Sequence, residues 1–366
     1  MDKRKRFILA AAFLGISLAA GSTGFCACAE ENKASGKKGL HLQYHELDHV
    51  KELGLSHVIF NEVCATSPQA VREKSFLKEK YKMLSDQGVS TTLIMLNPWQ
   101  SENPLLLPTN QKVAGAAFYN FYAATPQAKE NLRQIAREYA GMYTGVVKNW
   151  IIGNEINDAR LWNYSPAGGI SEYSEEYAEA FRIWYEEIKA ADPFANVFIP
   201  FDYRFNWYSD QGKGYYQAMP MIRLLNEKLK DTDYGIAWHA YPQDLVSPVF
   251  SDDADAKQTA EPPIITMKNI NALTDFMQGE EFLRADRTVR NIILSEQGFN
   301  ATNETLQAES IVSAYEIARE NPHIDAFMLS RLIDSGDRLH GQELFFGLMK
   351  KDGSRRASYE AYKNLK

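Results

Sequence analysis

Seven short apolar, β-branched or aromatic runs stand out along the chain: 57–61, 91–96, 149–153, 196–201, 235–239, 291–295 and 325–330. Amphipathic, charge-bearing stretches lie between them. Pro126–Tyr143 sets Leu132, Ile135, Ala136 and Tyr139 on one helical stripe, and Ser174–Ala191 does the same with Tyr177, Phe181, Trp184 and Ile188. Ser174 followed by Glu175 and Glu176 predicts the start of that second helix, because acidic groups favour the positive end of the helix dipole. Apolar strands alternating with helices predict an α/β fold, with a parallel sheet covered on its outer face. Residues 244–263, rich in Asp, Ala and Pro, read as the longest loop.

Each run ends on polar or titratable residues. His57–Phe60 runs into Asn61-Glu62, Leu93–Leu96 into Asn97-Pro98-Trp99, and Trp150–Gly153 into Asn154-Glu155-Ile156-Asn157. Val197–Pro200 leads to Phe201-Asp202, Ile236–Trp238 to His239-Ala240-Tyr241, Ile292–Leu294 to Ser295-Glu296-Gln297, and Phe327–Leu329 to Ser330-Arg331. In a (β/α)8 TIM barrel that strand end is where the active site is built. A barrel needs one more strand. Leu40–Tyr44 is the candidate, and it reads weakly, so the first strand is doubtful or truncated.

Glu155 and Glu296 end two runs separated by two others. Counted with the doubtful first strand, they close strands four and seven and face one another across the mouth. Two opposed carboxyl groups are the machinery of glycoside hydrolysis: one protonates the leaving oxygen, the other attacks the anomeric carbon or activates water. A separation of about 5–5.5 Å gives retention and roughly 6.5–9.5 Å gives inversion. A nearby carboxylate raises the pKa of the acid, and hydrogen bonds from Tyr241, His239 or Arg331 would keep the other group ionised. Trp99, Trp162 and Trp207 fall in loops after strands, where flat faces can cover a pyranose ring. Asn61, Asn97, Asn157, Asp202, Gln297 and Arg331 complete the candidate substrate contacts. Arg331 is a weak pointer to an acidic sugar.

Gly153-Asn154-Glu155, His239-x-Tyr241 and Ser295-Glu296, in that order, resemble the clan A retaining glycoside hydrolases. The stretches 149–157, 237–242 and 292–299 are similar to an uncharacterised domain-of-unknown-function family of secreted bacterial glycosidase-like barrels, over roughly residues 39–366. The resemblance implies Glu155 as acid/base and Glu296 as nucleophile. It also implies Asn154 on the sugar 2-hydroxyl, and Tyr241 or His239 holding the nucleophile. Gly347-Leu348, Asp352-Gly353 and Ser358-Tyr359 look like the tail of such domains, where the last helix packs under the barrel. Members of that family usually carry more chain ahead of the segment matched by 39–63.

The front of the chain reads as an address. Lys3–Arg6 is basic, Phe7–Ala20 is apolar, and Ala27-Cys28-Ala29 is a small-x-small site. The expectation is a signal peptide over 1–29 cleaved after Ala29, a flexible leader over 30–38, a barrel domain over 39–366, and an exported monomer. The apolar run is short for a membrane span. An uncleaved anchor, or a lipoprotein at Cys26 or Cys28, is the alternative. Residues 1–29 hold four basic residues and one acidic, so without them the net charge moves from −7 to −10 and Cys64 alone remains of three cysteines. That suits bacterial export without disulfides and argues against nucleic-acid binding. His41, His45 and His49 stand four apart and could share a helix face, but metal binding there is disfavoured. No nucleotide loop or Gly-x-Ser-x-Gly elbow occurs, so no cofactor is expected. The functional alternative is a secreted carbohydrate-binding barrel that kept its cleft and lost turnover.

Overall fold

Every predicted run forms a strand, and an eighth precedes them. The computed structural model describes residues 36–207, 214–339 and 341–366, all within one compact unit, Lys33–Lys366. The expected signal peptide, and the expected leader up to residue 35, lie outside the described residues. The strands are β1 Lys38–His41, β2 His57–Val63, β3 Ser90–Leu96, β4 Asn149–Ile152, β5 Asn196–Phe201, β6 Gly235–Trp238, β7 Ile292–Gln297 and β8 Ala326–Leu329. Each pairs in parallel with its neighbours, and β1 pairs with β8, so the barrel closes. The doubted first strand is present two residues earlier than expected. It reads weakly because it is four residues long and contains Gly39, whose inward face is filled by Met328 instead.

The helices follow in turn: α1 His49–Leu53, α2 Pro68–Arg72, α3 Leu77–Asp86, α4 Pro126–Tyr143, α5 Ile170–Ala191, α6 Ala218–Leu229, α7 Asn271–Met277, α8 Glu304–Glu320 and α9 Ala357–Lys363. α4 starts where sequence predicts, with the Thr125 side chain accepting the Ala128 N–H and Pro126 in the first turn. α5 starts four residues before the predicted Ser174. Ile170 and Tyr173 extend the apolar stripe backwards, and Ser174 is buried inside the helix. α9 ties the C-terminal segment to β1: the Tyr362 hydroxyl bonds the backbone of Gly39, and Lys38 Nζ reaches the Leu365 carbonyl.

Strand alternation sorts the core into two shells. Val58, Phe60, Trp150, Ile152, Val197 and Ile199 face outward and meet the helices. Ile59, Ile94, Ile151, Phe198, Ala237 and Ile293 face inward and fill the barrel. Gly235 leaves the room that Phe198 occupies, since a Cβ there would sit 2.5 Å from the ring. Below this plug lies a chain of amides: Asn291 Nδ2 donates to Asn196, Asn196 Nδ2 to Asn149, and Asn149 Nδ2 to Thr92. The same inward parity, carried upward, delivers His41, Asn61 and His239 to the mouth.

Candidate active site

Glu155 and Glu296 reach the mouth by different local devices. β4 ends at Ile152, and Gly153 turns the chain with φ 84°. Glu155 itself sits at φ 37°, a left-handed conformation that a side chain adopts at a cost. Its carbonyl is fixed by the Asp158 N–H at 2.8 Å. On β7, simple alternation would send Glu296 outward beside Ile292 and Leu294. The β7–β8 register slips between Leu294 and Gln297, inserting one extra residue on β7. Such a bulge re-aims the following side chain, and here it brings Glu296 into the mouth.

One imidazole joins the two acids. His239 Nδ1 stands 2.8 Å from Glu155 Oε1 and 3.9 Å from Glu296 Oε2. Those two carboxylate oxygens therefore lie no farther apart than the two distances laid end to end. Tyr241 donates its hydroxyl to Glu296 Oε1 at 2.6 Å. Both glutamates line a cavity of about 400 Å³ together with Asn61, Asn154, Trp162 and Arg331. Trp162 lies nearly parallel to Phe118, with centroids 6.2 Å apart.

Environment separates the two acids. Burial pushes the Glu155 carboxyl up, the His239 hydrogen bond partly opposes this, and the charges of Asp202 and Glu296 add to the rise, leaving it at about 7. Burial also acts upward on Glu296, but His239, the Tyr241 hydroxyl, His41 and Arg331 together outweigh it and hold the group below its ordinary value. Burial disfavours charge on His239, yet Glu296 and Glu155 overcome this and raise its pKa. The two carboxyls are thus driven apart: Glu155 is poised to hold a proton up to about pH 7, and Glu296 is favoured in its ionised form.

Several predicted contacts stand behind the mouth instead of lining it. Asn97 spends its amide on the carbonyls of Leu106 and Asn120. Gln297 accepts the Ala240 N–H and donates to the Trp238 carbonyl, which fixes β6 against β7. Asn157 donates to Asp202, which also takes the Tyr215 hydroxyl and Arg204. This network backs Glu155 and carries the negative charge that raises it. Trp99 and Trp207 do not line the cavity. Sequence reasoning missed His41, Gln43 and Glu46, which line it from β1 and the loop after it. The histidine spacing suggested a helix, but His41 ends β1, and His49 opens α1 and bonds the Tyr359 hydroxyl at 2.8 Å. Only the inward parity of β1 could have flagged His41. Among the described residues no group of His, Cys, Asp and Glu could hold a metal ion, and no helix is long and apolar enough to cross a membrane.

Known structures share this architecture. A family 39 glycoside hydrolase from Bacteroides cellulosilyticus WH2 superposes with a TM-score of 0.66 at 16% identity, over 91% of this chain and 63% of that one. This chain thus spans under two thirds of that protein's length. A psychrophilic family 10 endo-β-1,4-xylanase matches with a TM-score of 0.54 at 17% identity, over 90% of this chain and 97% of its own. A GH5_18 protein from Streptomyces cattleya, solved in complex with GlcNAc, matches with a TM-score of 0.56 at 14% identity, over 87% and 72%. The fold is therefore a glycosidase-like TIM barrel. No curated protein matches the chain in sequence. The model of one family covers residues 66–366, and the chain belongs to it: the Family of unknown function (DUF5722).

Proposed function

We propose that the protein is an exported, monomeric glycoside hydrolase that cleaves O-glycosidic bonds of an oligo- or polysaccharide with retention, through Glu155 and Glu296. The observation that carries this is the single imidazole within 3.9 Å of both carboxylates. The spacing it allows includes the retaining range of about 5–5.5 Å.

The chemistry follows from the charge set. His239 Nδ1–H donates to Glu155 Oε1, leaving Oε2 to carry the acid proton. Glu155 passes that proton to the glycosidic oxygen as the bond to the anomeric carbon breaks. Glu296, ionised and aimed by Tyr241, attacks that carbon and forms a glycosyl ester. Esterification removes the Glu296 charge that had helped raise Glu155, so the Glu155 pKa falls and the group stands as the carboxylate base that deglycosylation needs. As a carboxylate it takes a proton from water, which attacks the anomeric carbon and frees Glu296. Asn154 contacts the 2-hydroxyl and Trp162 covers a ring face.

The basic, apolar and small-residue layout of residues 1–29 supports export through a cleaved signal, in a bacterial setting. The test is Glu155→Gln and Glu296→Gln on a panel of α- and β-aryl glycosides and polysaccharides. Each change is expected to lower kcat by about 10⁴-fold or more while sugar binding survives. Wild-type protein that binds sugars and releases no reducing ends would leave a binding barrel in place of an enzyme.

A further inference from the structure

We propose that the sugar seated in this pocket is an uncharged pyranose, read through its hydroxyls by His41 and Glu46, and that uronic acids are excluded. This rests on the glycosidase reading of the same cavity and names its substrate class.

The cavity's cations are already spent. Among the described residues Arg331 is the only Lys or Arg that lines it. Arg331 Nη2 pairs with Asp337 Oδ2 at 2.7 Å, and Nη1 holds the Ser335 hydroxyl. Ser335 in turn donates to Asp337 Oδ1 at 3.1 Å, so the pair is braced on both oxygens. The remaining guanidinium nitrogen, Nε, is shielded from solvent and has no partner. A single N–H serves a hydroxyl as well as an acid, whereas a carboxylate takes a two-pronged fork, and both prongs here are engaged by Asp337 and Ser335. His239, which could also carry a positive charge, is already held between Glu155 and Glu296.

The neighbouring wall, built by β1 and the loop after it, is negative and amphoteric. Glu46 is 6% exposed and lines the cavity. Its Oε2 accepts the Gln43 N–H at 2.7 Å, and no Lys, Arg or His among the described residues pairs with it. A carboxylate in that position accepts from hydroxyls and repels a second carboxylate. His41 Nε2 is buried without a partner. Burial, only partly offset by Glu296, pulls the His41 pKa down to about 4, so the ring is neutral near pH 7. A neutral imidazole offers one donor and one acceptor, which matches a hydroxyl and gives a uronate no charge to pair with. A site of unpaired groups shaped for hydroxyls also discriminates strongly against ligands that cannot satisfy them.

The experiment compares matched sugars that differ only at carbon 6: glucose with glucuronate and galactose with galacturonate, as free sugars and as α- and β-aryl glycosides. Binding to the wild-type protein is read by saturation-transfer NMR and hydrolysis by aryl release. The expected result is binding of a neutral member, with its glycoside favoured over the uronide by about 100-fold or more in kcat/KM. Glu46→Gln should weaken binding of the neutral sugar by about 30-fold or more. Asp337→Asn, which frees the Arg331 fork at a partly exposed position, should shift the uronide-to-neutral ratio up by about tenfold. Equal or better binding of the uronate, or no binding of either member, overturns the proposal. Neutral binding without any aryl release supports it and overturns the hydrolase reading instead.

Discussion

The two ends of the barrel handle polar groups in opposite ways. At the floor, Thr92, Asn149, Asn196 and Asn291 bond one another at 3.0–3.1 Å, forming a continuous chain. At the mouth, His41 Nε2, His239 Nε2 and Arg331 Nε are buried with no partner, although each belongs to a strong hydrogen-bonding group. Leaving such an atom unpaired costs about 1–3 kcal/mol, and Glu155 adds a left-handed backbone. The floor is solved for stability. The mouth leaves hydrogen-bonding groups free for hydroxyl-bearing partners, water included, where the floor leaves none in its chain.

The largest test of this contrast separates activity from stability. Glu155→Gln should abolish hydrolysis, about 10⁴-fold or more in kcat, without weakening the fold at pH 8. Glu155 holds its proton in the folded state up to about pH 7, whereas unfolded chain releases it near the ordinary carboxylate value. Folding stability from this group therefore falls as pH rises across that window. The amide removes the penalty, and chemical denaturation should find the variant equal to wild type or up to about 1 kcal/mol more stable. A clear loss of stability would make Glu155 a structural group.

The floor should respond in reverse. Asn196→Ala strands Asn149 Oδ1 and Asn291 Nδ2 together. It should cost about 2 kcal/mol of unfolding free energy and leave kcat/KM on a cleaved glycoside within about twofold of wild type. A matching fall in activity would mean the two ends are coupled through the inward plug.

The pH profile sharpens the mouth further. Activity needs Glu155 protonated, so it should be present below about pH 7 and fall as Glu155 ionises above it. The acid limb follows Glu296, which must be ionised and whose pKa is held low. His239 lowers both carboxyls. In His239→Asn both limbs should therefore move toward alkaline pH, with kcat down by about 10²-fold. A profile that stays in place would show that His239 acts on position alone.

What sequence revealed and what it hid divide along the same physical line. Seven strands were legible because each holds three or more consecutive apolar residues, and both glutamates were legible as polar punctuation at strand ends. β1 was faint because it is short and Gly39 removes an inward side chain. The aim of Glu296 was not legible at all: period-two counting sends it outward, and the bulge that reverses it exists only in the pairing with β8. Asn97, Asn157 and Gln297 have the same chemistry as sugar-binding amides, but their partners are backbone carbonyls and Asp202, fixed by tertiary contacts that no local pattern announces. Glu62 makes the point from the other side. It ends a strand beside Asn61, yet it points away from the mouth, where Lys74 and the Tyr139 hydroxyl hold it.

The smallest expected effect belongs to Trp162, and it discriminates between packing and recognition. Its ring lies 28° from the plane of Phe118 and lines the cavity. If it serves as a platform for a sugar face, Trp162→Ala removes stacking worth about 1 kcal/mol, so KM should rise by about five- to tenfold with kcat nearly unchanged. Trp162→Phe should recover most of that loss, because a flat apolar face is retained. If the ring only packs the loop after β4, both variants should instead lower the unfolding midpoint and leave KM alone. The ring is part-exposed at the cavity wall while Trp150, Trp184 and Trp238 are buried among core side chains. Burial separates Trp162, Trp99 and Trp207 from those whose faces are already covered, and of these three Trp162 lines the cavity.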